Sequence, residues 1–332
     1  MKVYCPTYYH LFKCIAGSCP DSCCKDWEIQ VDSYTAQKYR ELSGSLGDRL
    51  RQVLRFEEDG SAVMVNENGR CPMWRNDGLC RIHAELGKEA LCQVCAEFPR
   101  LTHDYGTFME LGLELSCPEA AQHILRDLEF KLDAIMLPGS SEPQYDTEAM
   151  EILLRTRETA LSLLRDQNRS VPEILSLLLI YGYQAQGELD GEEPVPFNAA
   201  AALQTASEFS AEGSFDAIKD FFSTLEILTP QWKQMLAAAQ IGPWLDEHKA
   251  LAGYMIRRYW LQAVSDYDLA CRVKFIVIAC LLVRHLGGDA VRTAQLFSKE
   301  IENNTDNVDA ILDAAYSHPA FTDAALLDLL RN

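Results

Sequence analysis

The pattern of apolar positions changes near residue 138. Beyond it, apolar residues recur at three- and four-residue spacing, as in TEAMEILLRTRETALSLLRD and VPEILSLLLIYGYQAQ, and the breaks fall at Gly and Pro. This period predicts successive amphipathic helices. Strands do not alternate with helices along the chain, which disfavours a parallel α/β sheet. Residues 138–332 are therefore predicted to form an all-helical bundle.

The first 137 residues have a less regular pattern. DSYTAQKYRELSGSLGDRLRQVLRF predicts one or two helices, AELGKEALCQVCAEF a helix that stops before Pro99, and PEAAQHILRDLEFKLDAIM a helix with Pro118 at its first position. EEDGSAVMVNENGR and HDYGTFMELGLELSC set turn residues beside β-favouring residues and predict short hairpins. LPGSSEPQYD has the Pro and Gly content of a linker. The predicted fold class is mainly α, with an irregular cysteine-rich domain with short β-hairpins over residues 1–137 and the helical bundle over residues 138–332.

Composition and charge narrow the classes of function. Of the 332 residues, 48% are hydrophobic, and the net charge is −19. An acidic surface repels nucleic acid, so no nucleic-acid partner is expected. The N-terminus lacks the apolar region of a signal peptide, and the longest strongly apolar run, FIVIACLLV, is shorter than the roughly 20 residues that span a bilayer. We therefore expect no transmembrane segment and a cytoplasmic location.

Cysteines are concentrated in the first part of the chain. In a reducing compartment, clustered cysteines bind metal or do redox chemistry more often than they form disulfides. Two of the twelve cysteines, Cys271 and Cys280, lie in a helical apolar pattern in the second half and are predicted to be small buried hydrophobic residues. The ten that precede residue 118 are Cys5, Cys14, Cys19, Cys23, Cys24, Cys71, Cys80, Cys92, Cys95 and Cys117.

A cysteine followed by proline and an acidic residue occurs twice, as SCPD at residues 18–21 and as SCPE at residues 116–119. Proline is favoured at the first helical position and an acid in the first turn. Cys19 and Cys117 are therefore predicted at helix N-termini, where the helix dipole stabilises the thiolate that ligates metal. Cys23 and Cys24 would follow Cys19 in the first helical turn.

The spacing of the cysteines favours an iron–sulfur site over zinc. Zinc sites usually show two Cys-x2-Cys pairs, or one such pair with two histidines, and only Cys92 and Cys95 form such a pair. His83 and His103 are nearby, but are better explained as surface or core residues. Iron–sulfur clusters accept cysteines that are scattered through loops. The ligand sources are Cys14, Cys19, Cys23 and Cys24, then Cys71 and Cys80, then Cys92, Cys95 and Cys117.

Three of these segments together resemble one known family. CIAGSCPDSCCKDWEIQVD, then CPMWRNDGLCRIHAELGKEALCQVCAEFPR, then LSCPEA are similar to the flagellin lysine-N-methylase (FliB) family, over roughly residues 12–121. The cysteine skeleton is also similar to the broader YkgJ-type zinc- or iron-chelating domains. The resemblance implies an S-adenosylmethionine-dependent protein-lysine N-methyltransferase that acts on flagellin, or on another lysine-bearing protein, with an oxygen-sensitive 4Fe–4S cluster.

The resemblance also implies a set of metal ligands. One 4Fe–4S cluster takes at most four cysteines, so either two clusters form or some of these thiols are structural. Cys92 is assigned to a helix core, and Cys5 lies outside the matching segments. The implied ligands are Cys14, Cys19, Cys23, Cys24, Cys71, Cys80, Cys95 and Cys117.

The methyl donor has no standard binding motif here. No G-x-G-x-x-G is present, and the Cys-x3-Cys-x2-Cys of radical S-adenosylmethionine enzymes is absent, so radical and polar methyl transfer both stay open. Arg100 is a candidate to bind the cofactor's carboxylate, or to form a structural salt bridge. Trp27 and Trp74 are candidates to stack on adenine or on a lysine stem, or are core aromatics.

Further alternatives concern the substrate lysine and the function itself. Asp26 and Glu28 are candidates to receive the substrate lysine, or belong to a solvated face. The helical domain over residues 138–332 is a candidate for docking the protein substrate. There are two alternatives to a methylase. One is a non-catalytic module that chelates zinc or iron, and the other is an interaction protein whose cysteine-rich part is held together by a bound metal.

Overall fold

The computed structural model describes residues 1–25, 27–139, 141–209 and 212–332, and it is mainly α-helical. The strands are Lys2–Pro6 (β1), Ile29–Val31 (β2), Leu54–Phe56 (β3), Ala62–Met64 (β4), Arg100–Asp104 (β5), Phe108–Leu113 (β6) and Leu132–Met136 (β7). The α-helices are Ser33–Glu41 (α1), Gly44–Val53 (α2), Arg81–Leu86 (α3), Gln93–Glu97 (α4), Pro118–Ile124 (α5), Thr147–Leu164 (α6), Val171–Leu189 (α7), Ala199–Glu208 (α8), Phe215–Thr224 (α9), Pro230–Ala237 (α10), Asp246–Tyr259 (α11), Ala270–Leu286 (α12), Ala290–Phe297 (α13), Thr305–Ser317 (α14) and Asp323–Arg331 (α15). Short 3-10 helices lie at Thr7–Leu11, Ala16–Ser18, Lys88–Ala90, Trp260–Val264 and Pro319–Phe321, and a π-helical turn, Ser298–Glu302, follows α13.

Strand β1 lies in the interior of a four-stranded sheet with the order β5-β6-β1-β7. It pairs in parallel with β6, where Val3 faces Met109, and antiparallel with β7, where Val3 faces Ile135. Strands β5 and β6 form the second hairpin predicted from the sequence. The sheet joins the first residues of the chain to the segment that directly precedes the helical half.

A smaller antiparallel sheet, in the order β2-β4-β3, carries most of the cysteine-rich segments. Strand β4 lies in the first segment predicted as a hairpin, but its partner β3 lies just before that segment, where a helix was predicted, because pairing with β4 supplies the backbone hydrogen bonds of Leu54–Phe56. Helices α1 and α2 confirm the prediction of one or two helices. Ile29, Tyr39 and Leu50 pack there in a hydrophobic core that also contains Cys71 and Cys92. This small core therefore contains Cys71, one of the implied ligands, and Cys92, which the sequence analysis assigned to a core.

The described residues beyond 137 confirm the prediction of an all-helical second half. Helix α12 is buried along its whole length and packs against α7, α11, α13 and α14. The main hydrophobic core continues from these helices to Tyr8, Leu113 and Phe130 in the first half, so the four-stranded sheet packs on the bundle. The domain boundary at residue 137 stays a prediction. Among the described helices, none combines the length and the apolar character needed to cross a bilayer.

The long helix predicted from Pro118 to residue 136 is wrong beyond its first two turns. Helix α5 begins at Pro118 as expected but ends at Ile124. The Asp127 carboxylate accepts the backbone N–H groups of Glu129 (3.2 Å) and Phe130 (3.0 Å), and this local turn competes with the helix. The chain then enters β7, because pairing with β1 supplies its backbone hydrogen bonds.

The helix predicted over residues 84–98 is also interrupted. Gly87 adopts a φ of +87°, which ends α3, and a 3-10 turn separates it from α4. Positive φ is favourable for glycine because it has no Cβ. The helical character does stop before Pro99, as predicted. The interruption places Cys92 at the start of a new helix.

Candidate functional site

All twelve cysteines are free thiols. Cys271 and Cys280 are buried in α12, as the apolar pattern predicted. Cys5 lies in β1 with its Sγ 3.4 Å from His10 Nε2. The other nine thiols lie in the first half of the chain, and they comprise the eight cysteines implied as ligands together with Cys92.

These nine thiols form two groups that meet at the adjacent pair Cys23 and Cys24. We call the first thiol group Cys14, Cys19 and Cys117, and the second thiol group Cys71, Cys80, Cys92 and Cys95. Cys23 lies within electrostatic range of Cys14 and Cys117, and Cys117 within range of Cys19. Cys24 is hydrogen bonded to Cys71 and lies within range of Cys80 and Cys95.

The pair also concentrates negative charge on one sulfur. Hydrogen bonds from the thiols of Cys23 and Cys71 lower the pKa of Cys24, and the same hydrogen bonds raise the pKa of Cys23 and of Cys71. In the second group, a hydrogen bond from Cys95 lowers the pKa of Cys92. Thiolate is the form of cysteine that binds metal. The arrangement therefore supplies thiolate character at the junction of the two groups.

Three cysteines are the N-cap residues of short helices: Cys80 before α3, Cys92 before α4 and Cys117 before α5. For Cys117 this confirms the sequence prediction, with Pro118 as the first helical residue. Burial raises the pKa of Cys117 to about 11, although hydrogen bonds from the backbone of Ala120 and Glu119 lower it in part. The first backbone N–H groups of a helix have no acceptor within the helix, and those of Glu119 and Ala120 are therefore available to Cys117.

The matching prediction for Cys19 is wrong, and so is the prediction that Cys23 and Cys24 lie in a first helical turn. Cys19 follows the 3-10 turn Ala16–Ser18, and no helix forms over residues 19–25. The Cys19 thiol donates to the Asp21 carbonyl at 2.6 Å. The segment is held instead by distant partners, because the Cys24 carbonyl accepts the N–H of Cys71 at 2.8 Å.

No three His, Cys, Asp or Glu side chains in the described ranges have an arrangement that could hold a single metal ion. The assignment of metal to the eight cysteines therefore stays a prediction. What the structure does provide is the donor chemistry. Thiols from segments far apart in sequence lie within electrostatic range of one another. Cys14 and Cys23 reach the protein surface, while Cys71 and Cys92 are buried.

The aromatic candidates lie beside these thiols. Trp27 donates its indole N–H to the carbonyl of Cys23 at 2.8 Å. Trp74 donates its backbone N–H to the Cys71 carbonyl at 2.9 Å, and the Arg70 guanidinium covers its ring at 3.9 Å. One face of Trp74 is therefore already occupied by a cation, which leaves Trp27 as the better placed aromatic for a ligand.

The charged candidates are less closely connected to the sulfurs. Arg100 is exposed, with its guanidinium 5.4 Å from the ring of Phe12 and 5.9 Å from that of Tyr9. Glu28 is exposed and lies 4.0 Å from Arg55. Asp26 lies outside the described residues. The structure thus gives Arg100 aromatic neighbours and leaves its proposed contact with a cofactor untested.

A cavity that the sequence did not indicate lies between the four-stranded sheet and helices α6 and α11. Its volume is about 400 Å³. On its wall, Arg157 binds Glu110 through two hydrogen bonds of 2.8 and 2.6 Å, and both side chains are buried. Two sequence features could have indicated this cavity: Glu110 is an acidic residue within a β-favouring segment, and Arg157 is an arginine on the apolar face of a predicted helix. The lining residues include Lys2, Tyr4, Phe108, Leu132, Leu154 and Arg257.

Comparison with known proteins gives three related matches. The flagellar biosynthetic protein FliU of Salmonella muenchen is 31% identical over 134 residues, which cover 37% of this chain and 76% of FliU. The lysine-N-methylases of Salmonella typhimurium and Salmonella choleraesuis are each 32% identical over 128 residues, which cover 37% of this chain and 32% of the methylase. The match thus spans about a third of each methylase's length. No protein-family model matches the chain, and no solved structure is significantly similar to it.

Proposed function

The chain belongs to the family that contains FliU and the lysine-N-methylase FliB, and from that membership we propose that it is a protein-lysine N-methyltransferase. Its methyl donor is S-adenosylmethionine, its substrate is flagellin, and its activity depends on a 4Fe–4S cluster. The similarity to two lysine-N-methylases is the observation that carries this proposal. The gathering of nine free thiols in the first half supports the metal-dependent part of it.

The proposed ligands come from the eight cysteines of the sequence prediction. With Cys23, the first thiol group offers four of these sulfurs, and Cys24 with Cys71, Cys80 and Cys95 offers the other four. Cys92 lies in the second thiol group but outside the predicted set. One 4Fe–4S cluster takes at most four cysteines, so the chain has thiols for one cluster with structural thiols, or for two clusters. When bound, such a cluster would supply an iron position that binds the amino and carboxylate groups of S-adenosylmethionine.

The chain's own residues must then handle a lysine. Its ammonium has a reference pKa of about 10.4, so the pKa must fall or a base must take the proton before the amine can accept a methyl group. Trp27, beside Cys23, offers a ring face to the apolar stem of such a lysine. The net charge of −19 favours association with a surface that carries exposed lysines.

The methylase assignment is tested by methyl transfer. Anaerobically purified protein is incubated with methyl-labelled S-adenosylmethionine and purified flagellin, and the modified residues are located by mass spectrometry. Label is expected on lysine side chains of flagellin and is expected to disappear when the methyl donor is omitted. Iron-loaded protein that neither labels flagellin nor consumes the donor would contradict the assignment.

A second candidate is a non-catalytic metal-binding module. The observation that favours it is the short match, which covers 32% of each lysine-N-methylase. Such a module would bind zinc or iron in a fixed ratio without consuming S-adenosylmethionine. The same incubation, with metal analysis of the same sample, separates the two functions.

A further inference from the structure

One helix of the second half contacts both cysteine–proline–acid motifs of the first half. Asp21, the acid of the first motif, binds side chains of α13 and of the π-helical turn that follows it. Ser116, which opens the second motif, binds α13 through its carbonyl oxygen. Helix α13 also packs against α5, whose N-cap is Cys117. The two motifs are therefore held by the same element.

Asp21 is buried, with 4% of its surface exposed, and its carboxylate has several donors. Oδ2 accepts from Arg292 at 3.3 Å and from Gln295 at 3.1 Å, and Oδ1 accepts from Lys299 at 3.3 Å. Lys25 adds an ion pair of 2.7 Å from within the cysteine-rich segment. A carboxylate without such partners would be costly to bury. The loop that carries Cys19, Cys23 and Cys24 is thus anchored at Asp21.

Gln295 connects the two motifs directly. Its Nε2 donates to Asp21 Oδ2 and, at 2.6 Å, to the carbonyl oxygen of Ser116. An amide group carries two N–H donors, so one side chain can serve both acceptors. Gln295 is 1% exposed, and its amide can therefore keep these partners without competition from water. Ser116 directly precedes Cys117, so the bridge joins the Cys19 loop to the Cys117 cap.

The three anchoring side chains share one face of a helix. Arg292, Gln295 and Lys299 are three and four residues apart, the spacing that places side chains on the same side. The π-helical turn begins at Ser298, so it carries Lys299. The face that they form is directed at the cysteine-rich segments.

We propose that Gln295 is a positioning residue, which fixes Cys19 and Cys23 relative to Cys117 so that the first thiol group can act together with Cys23. The inference rests on the proposed function, since it assigns to the helical half a role in assembling the metal-binding thiols. Gln295 does not touch the metal in this scheme. It acts through Asp21 and through Ser116.

The test compares Gln295→Ala with the matched control Gln231→Ala. Gln231 is exposed and accepts a hydrogen bond from Arg292 at 3.1 Å. After anaerobic reconstitution, the iron content per chain of the Gln295 variant is expected to fall to less than half of the wild-type content, and that of the control to stay unchanged. A Gln295 variant that keeps the wild-type iron content would overturn the proposal.

A second readout needs no metal. Chelator-treated protein is alkylated with iodoacetamide, and the rate at each cysteine is followed by mass spectrometry. Loss of the buried hydrogen bonds is expected to make Cys19 and Cys117 react about tenfold faster, with Cys71 and Cys92 unchanged. Equal acceleration at all four would indicate general destabilisation and overturn the proposal, as would no acceleration at all. If even the wild type binds no iron, the proposed function fails while alkylation still tests Gln295.

Asp21→Asn provides a second variant of nearly the same size in case Gln295→Ala does not fold. It removes the charge that Arg292 and Lys299 bind, so Cys19 is expected to react faster than in the wild type, again without a change at Cys92. Wild-type reactivity of Cys19 in this variant would overturn the role assigned to the anchor.

Discussion

Adjacent cysteines can face different partners when the backbone between them turns. Cys23 is directed at the first thiol group and Cys24 at the second, and the hydrogen bond between their thiols joins the two. This explains the double cysteine, which an ordinary hydrophobic core does not require. The same contacts make Cys24 the sulfur with the most thiolate character at the junction, because it receives two hydrogen bonds.

Replacing Cys24 with serine is therefore expected to damage both groups. A hydroxyl does not ionise to replace the thiolate, and the hydrogen bonds from Cys23 and Cys71 lose their charged acceptor. Iron bound per chain is expected to fall to less than half of the wild-type value after anaerobic reconstitution. Cys280→Ser in α12 is the control, because Cys280 is fully buried among helices and is hydrogen bonded to the His248 carbonyl. Equal iron loss in both variants would argue against the role of Cys24.

At the scale of elements, the sequence predicted those helices and strands that depend on residues close to them along the chain. Local turn and capping residues predict the hairpin β5–β6, the helices α1 and α2, and the cap at Cys117. They predict strand β4 as well, but not its partner β3. Strand β7 could not be found this way, because its pairing with β1 brings together residues more than a hundred positions apart. The segment before β7 is compatible with a helix, and the distant strand decides the outcome.

The buried pair of Glu110 in β6 and Arg157 in α6 ties the four-stranded sheet to the bundle. Glu110→Ala leaves Arg157 buried without its partner, so the free energy of unfolding is expected to fall by about 3–5 kcal/mol. Glu158→Ala is the control, because its pair with Arg165 is exposed and contributes about 0–1 kcal/mol. Urea denaturation measures the free energy of unfolding of both variants. Similar losses in the two variants would show that the buried pair is not a special link between sheet and helices.

A double replacement separates the ion pair from the site that it occupies. With leucine at both Glu110 and Arg157, no charge is left without a partner. Much of the stability lost in Glu110→Ala is therefore expected to return. A double variant as unstable as Glu110→Ala would indicate that the cost comes from packing rather than from the unpaired arginine.

At the scale of the whole molecule, the candidate site depends on both halves of the chain. The cysteines, their density and the Cys117 cap could be read from the sequence. The contact between Asp21 and Arg292 could not, because 271 positions separate them and each residue alone is an ordinary surface type. The division of the thiols into two groups could not be predicted from the sequence either, because it depends on the contact of Cys24 with Cys71 and not on the spacing of the cysteines.

The proposed activity depends on the first-half thiols binding an iron–sulfur cluster. The iron and acid-labile sulfide content of the anaerobically purified chain tests this most directly. About four irons and four sulfides per chain are predicted for one cluster, or about eight of each for two. Absorbance near 400 nm should be lost in air together with the sulfide. Zinc in a fixed ratio without sulfide, or no metal at all, would contradict the account.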